Sequence, residues 1–148
     1  MNNKKSLFVA AICAVLFLSG FQSARADTLV SADIIQDTVW TKADSPYVIT
    51  ESIIVYPDVT LTLEPGTIVR FAPMSGNRGK YIEIYGKLIA VGAPEDKIRF
   101  SATVDDSSLC GTSDNCRGGL SFYSEASGSQ IEHVSFSNMN SVDIEGFA

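Results

Sequence analysis

A short strand pair returns after every turn-rich interruption of this chain. Leu61-Thr62-Leu63 is followed by Val69-Arg70-Phe71, and Ile82-Glu83-Ile84 by Ile98-Arg99-Phe100. Leu120-Ser121-Phe122 is followed by Val134-Ser135-Phe136, and Val142-Asp143-Ile144 opens a further copy. Leu63 and Ile84 stand 21 residues apart, and Phe122 and Ile144 stand 22 apart, a period that predicts stacked coils. An antiparallel sandwich also has short strands and frequent turns, but its strands differ in character, whereas here one local phrase recurs. Stacking the phrases predicts an inward column of Leu63, Ile84, Phe122 and Ile144 and another of Phe71, Phe100 and Phe136. Leu61, Val69, Ile82, Ile98, Leu120, Val134 and Val142 complete the expected core. One coil cannot bury enough apolar surface, but at about 25 cal/mol per Å² several together hold a narrow core. The residues between them, Thr62, Glu83, Ser121 and Asp143, with Arg70, Arg99 and Ser135, are expected as outward polar columns.

The beginning of the chain has another character. Lys4 and Lys5 precede an apolar run from Leu7 to Leu18, and Ala24-Arg25-Ala26 places small residues where a signal peptidase reads. Twelve apolar residues span only about 18 Å at ~1.5 Å each, against a hydrocarbon core of ~30 Å. The reading is a secretory signal over residues 1–26, cleaved between Ala26 and Asp27. Cys13 lies within the apolar run and no cysteine stands at the cleavage point, which argues against a lipid anchor. No second long apolar run follows, so the mature chain is expected secreted (periplasmic, surface-bound or extracellular), without a transmembrane segment.

Removing Lys4, Lys5 and Arg25 leaves eight basic residues against seventeen acidic ones, a net charge of −9. Nucleic-acid binding needs a basic stripe, and Lys and Arg form no cluster here. The mature cysteines, Cys110 and Cys116, enclose five residues. In an exported protein such a pair favours a disulfide, and a zinc site would need more than the single His133. Its small ring stiffens one loop, at about 2 kcal/mol by loop closure, without carrying the fold.

Residues 27–46 are polar, with scattered apolar residues and Trp40, and are expected as an entry or cap segment. From Tyr47 to residue 148 alternating runs rich in Val, Ile, Leu, Phe and Thr predict strands punctuated by Gly and Pro. No amphipathic helical pattern occurs after the leader, so the domain is expected to be nearly all β.

Three stretches carry a resemblance: Trp40 to Ile49; Val59-Thr60-Leu61-Thr62-Leu63-Glu64-Pro65-Gly66-Thr67 on to Phe71; and Ile84-Tyr85-Gly86-Lys87-Leu88-Ile89-Ala90-Val91-Gly92 on to Phe100. Together they resemble the opening coils of bacterial secreted right-handed parallel β-helix proteins. Gly118 to Phe122 and Ser129 to Ser137 look like the next coil. The resemblance implies a right-handed parallel β-helix of about four short coils, with an insertion at 103–117 that departs from the pattern. It is specific for fold and weak for activity, because such coils occur in adhesins, in surface arrays and in polysaccharide-degrading enzymes. The chain stops at Gly146-Phe147-Ala148 just after a coil begins. The reading is a product truncated from a longer solenoid, with self-association through an open end as the alternative.

Catalysis has few candidates. Arg70 with Arg99 and Glu83 with Asp143 are outward charges of the kind that is usually solvated. His133 is expected at a bend, and no nucleophile motif accompanies it. In the insertion, Asp105, Asp106 and Asp114 bring hard oxygen ligands together and are the calcium candidates, against the competing reading of a polar loop. No other cofactor is implied. Tyr81, Tyr85 and Tyr123 are candidate stacking faces for sugars where exposed, against the competing reading that aromatic residues in strands pack. The preferred expectation is a non-catalytic, adhesin-like binding module for an extracellular glycan or surface protein. The alternative is the N-terminal part of a polysaccharide lyase or glycoside hydrolase.

Overall fold

The computed structural model describes residues 26–72, 79–102, 118–139 and 141–144. Residues 1–25 of the expected leader, Ala24 among them, lie outside these residues, as does the insertion with Cys110, Cys116, Asp105, Asp106 and Asp114. Short runs of branched and aromatic residues favour strands, and the turn residues between them bend the chain before any run can lengthen. Following the chain, the first circuit contains β1 (Thr28–Val30), a single bridge at Ile34, and β2 (Thr38–Trp40). The second contains β3 (Tyr47–Ile49), β4 (Ile53–Val55) and β5 (Thr60–Leu63); the third β6 (Ile68–Phe71), β7 (Tyr81–Ile84) and β8 (Lys87–Val91). The fourth contains β9 (Ile98–Ala102), β10 (Gly119–Phe122) and β11 (Gln130–Glu132), and β12 (Val134–Ser137) and β13 (Ser141–Ile144) follow. No described residue is helical, and no helix among them is long and apolar enough to cross a membrane.

Each circuit visits three sheets in turn. Sheet 1 is ordered β1-β3-β6-β9-β12, sheet 2 β4-β7-β10-β13, and sheet 3 β2-β5-β8-β11. Every strand pair is parallel. The result is an all-β stack of coils around one core. Residues 27–46, expected as an entry or cap segment, contain the strands of the first coil: β1 pairs with β3, β2 with β5, and Ile34 bridges to Val55.

Three strands per circuit change the columns expected from a two-strand phrase. Leu63 lies in sheet 3 between Trp40 and Ala90. Ile84 lies in sheet 2 between Val55 and Phe122, and Phe122 is in register with Ile144. Thr62 accordingly stands between Val39 and Ile89, away from Glu83, Ser121 and Asp143. The phrases around Leu63 and Ile84 look alike because both alternate with period 2, yet they belong to different sheets. In sheet 1, Phe71 pairs with Ile49 and Ala102, whereas Phe100 pairs with Val69 and Phe136. Here the register slips by two residues, which keeps both rings inward and so leaves no trace in the alternation.

Leu61, Leu63, Val69, Phe71, Ile82, Ile84, Ile98, Phe100, Leu120 and Phe122 are buried in one cluster with Trp40, Tyr47 and Leu88. Trp40 and Tyr47 stack with centroids 4.7 Å apart, and the Tyr47 hydroxyl accepts a hydrogen bond from Thr41 N. Val134 packs against the cluster, but Phe136 is 41% exposed and Val142 38% exposed, against the expectation that both are core. Each lies in a strand with a neighbour on one side only among the described residues. Buried Thr67 and Ser45 satisfy their hydroxyls at corners: Thr67 donates to Trp40 O, and Ser45 accepts from Ile68 N.

Candidate functional site

The corner from sheet 2 to sheet 3 differs in length from coil to coil. It takes four residues from Tyr56 to Val59, two at Tyr85-Gly86, and seven from Tyr123 to Ser129. A two-residue corner between longer ones leaves a depression, because its neighbours stand proud on both sides. The result is an open groove of about 270 Å³, floored by Gly86 and Lys87 and walled by Asp58, Val59 and Thr60 on one side and by Glu125 and Ser127 on the other.

Glycine makes the tight floor. A Cβ at Gly86 would stand 2.2 Å from the carbonyl oxygens of both Tyr56 and Val59. Without it, Gly86 N donates to Val55 O at 3.0 Å and Lys87 N to Val59 O at 2.8 Å. The long corner is held to the floor by Ser129, whose Oγ accepts from Leu88 N at 3.0 Å and donates to Ala126 O at 2.8 Å. Ala126 is itself buried. Gly128, at φ 82°, lies against the stem of Lys87: a Cβ there would stand 3.3 Å from Lys87 Cε. The lysine therefore lies along the long corner. Among the described residues Lys87 forms no ion pair with Asp58 or Glu125, whereas Lys42 and Asp96 pair at 2.6 Å at the corner between sheets 3 and 1.

Tyrosines open the same three corners. Tyr56 N, Tyr85 N and Tyr123 N donate to Ile34 O, Val55 O and Ile84 O, so the three occupy equivalent places on successive coils. The rings of Tyr85 and Tyr123 stack 4.1 Å apart at 4°, each covering one face of the other, and Tyr56 is 44% exposed. Tyr81 stands apart on the outer face of sheet 2, with Cε1 close to where Gly119 would carry a Cβ. Sequence reasoning picked out Tyr85 and Tyr123 but missed Tyr56, although it follows Val55 as Tyr85 follows Ile84.

The other candidates are dispersed. Arg70 is in register with Val48 and Ser101, and Arg99 with Ile68 and Ser135, so the two arginines do not share a column. Glu83, Ser121 and Asp143 do share one, and Asp143 Oδ2 accepts from Ser141 Oγ at 2.6 Å. His133 is exposed at the bend between β11 and β12 at φ 48°, and its carbonyl accepts from Ile98 N. Ala26 and Asp27 are exposed just before β1. Among the described residues no group of three or more His, Cys, Asp or Glu side chains could hold a metal ion.

No protein-family model matches the chain, and no solved structure does. A stretch of 70 residues is 36% identical to "Protein bark beetle" of Drosophila melanogaster. That stretch is 47% of this chain and 2% of the insect protein, so the chain spans a very small part of the protein it matches.

Proposed function

We propose that the chain is a secreted right-handed parallel β-helix that acts as a non-catalytic scaffold, binding an extracellular glycan or surface protein through its corners. The handedness follows from the rule that crossovers between parallel strands are almost always right-handed. The observation that supports binding is the corner between sheets 2 and 3, where unequal turns form a groove lined by charges of both signs that form no ion pair among the described residues. Loops on a rigid scaffold carry recognition more readily than the strands that hold them. The adhesin-like reading and the resemblance to bacterial secreted coils belong to this proposal, as does calcium at Asp105, Asp106 and Asp114.

A second reading, part of a polysaccharide lyase or hydrolase, draws on Glu83 and Asp143. They are separated by Ser121 in one column, about 9.6 Å at ~4.8 Å per strand step. Inverting glycosidases hold their carboxyl pair at ~6.5–9.5 Å, but across a cleft, whereas this column lies on the outer face of a sheet. The test is a glycan array of the secreted protein run beside a product-release assay on the same glycans. Binding without product is expected; product release abolished by Glu83→Gln would replace the proposal with the enzymatic reading.

A further inference from the structure

We infer that the groove between Asp58 and Glu125 takes a neutral, hydroxyl-rich saccharide unit, which names the ligand class for the binding role proposed above and rests on it. The lining alternates in hydrogen-bond character. Asp58 and Glu125 are acceptors on opposite walls, Lys87 is a donor between them, and the hydroxyls of Thr60 and Ser127 serve as either. Neighbouring sugar hydroxyls both donate and accept, so one ring satisfies an ammonium and a carboxylate together. Among the described residues Lys87 has no carboxylate partner to displace, and its stem is already laid along Gly128. That preorganisation lowers the ordering cost of binding.

The charge balance selects against acidic glycans. Two carboxylates face one ammonium, within a chain of formal net charge −6, so a uronate or sulfated unit is repelled at the walls. The size selects for short recognition. At about 270 Å³ the groove is below the ~300–1,000 Å³ of pockets for drug-sized ligands, which suits one or two sugar rings. The exposed ring of Tyr56, two residues before Asp58, offers the apolar face of a sugar a surface beside the polar wall.

The test is an NMR titration of the isotope-labelled secreted protein with neutral tetrasaccharides of glucose, mannose and galactose, and with tetragalacturonate as the acidic probe. At least one neutral probe is expected to give saturable shifts at the amides of Gly86, Lys87 and Ser127, and the acidic probe none. Lys87→Ala is expected to weaken that binding about tenfold or more, through loss of a charge-assisted hydrogen bond, while Lys97→Ala at another corner leaves it unchanged. Asp58→Asn is expected to weaken it without unfolding the chain, since asparagine tolerates the left-handed backbone that Asp58 adopts at φ 63°. Shifts confined to another face would overturn the groove while leaving the binding scaffold standing. No shifts with any neutral probe, or tighter binding of tetragalacturonate, would overturn the inference outright. Turnover of a probe would overturn the non-catalytic reading instead.

Discussion

Gly86 is where one missing side chain decides the shape of the surface. Its neighbours are two backbone carbonyl oxygens at 2.2 Å from any Cβ, and backbone cannot swing aside as a side chain tip can. Gly86→Ala is therefore predicted to cost about 2–3 kcal/mol, read from the urea midpoint, and to disturb the groove with it. Ser129 makes the complementary case. Removing its hydroxyl strands Leu88 N beneath the long corner, so Ser129→Ala is predicted to cost about 1–2 kcal/mol. Lys87→Ala, at an exposed side chain, is predicted to stay within about 0.5 kcal/mol of the parent in the same measurement. Little of this was legible in the sequence. Tyr85-Gly86-Lys87 reads as a turn, but only the placement of Tyr56 and Val59 directly against it explains the glycine.

Strands show where pattern reading succeeds and where it stops. Alternation located β5, β6, β7, β9 and β10 and the inward side of each, because one face is buried and period 2 marks it. It could not assign Leu63 and Ile84 to different sheets, since identical phrases on two sheets carry the same signal. Nor could it see the two-residue slip between Phe71 and Phe100, which leaves every side chain on the same side. The segment before Tyr47 was less legible still. β1 and β2 are only three residues each, and Leu29 and Val39 are exposed outward residues that blur the alternation. Phe100 and Phe136 share a column and stack at 5.5 Å, yet differ in burial. Phe100→Ala is predicted to cost about 3–5 kcal/mol and Phe136→Ala distinctly less, compared by thermal or urea unfolding. The Tyr85 and Tyr123 rings are predicted to couple by about 0.5–1.5 kcal/mol in a double-mutant cycle, beyond their separate truncations.

The whole stack owes its groove to arithmetic. Coils share a core of fixed girth, so any difference in chain length between coils must be taken up at the corners. The passage from sheet 2 to sheet 3 takes four, two and seven residues on successive coils, and the shortest of these becomes the floor. That relation needs the three-sheet circuit, and a two-strand repeat, which is all that the recurring phrase in the sequence predicts, contains no such corner. The groove therefore depends on the three-sheet circuit. The circuit is tested most directly by NMR contacts between backbone protons of neighbouring strands in the labelled protein. Contacts joining Thr62 with Ile89, Glu83 with Ser121, and Phe100 with Val69 are predicted from the register. Contacts joining Thr62 with Glu83, or Phe71 with Phe100, would contradict it and remove the groove along with it.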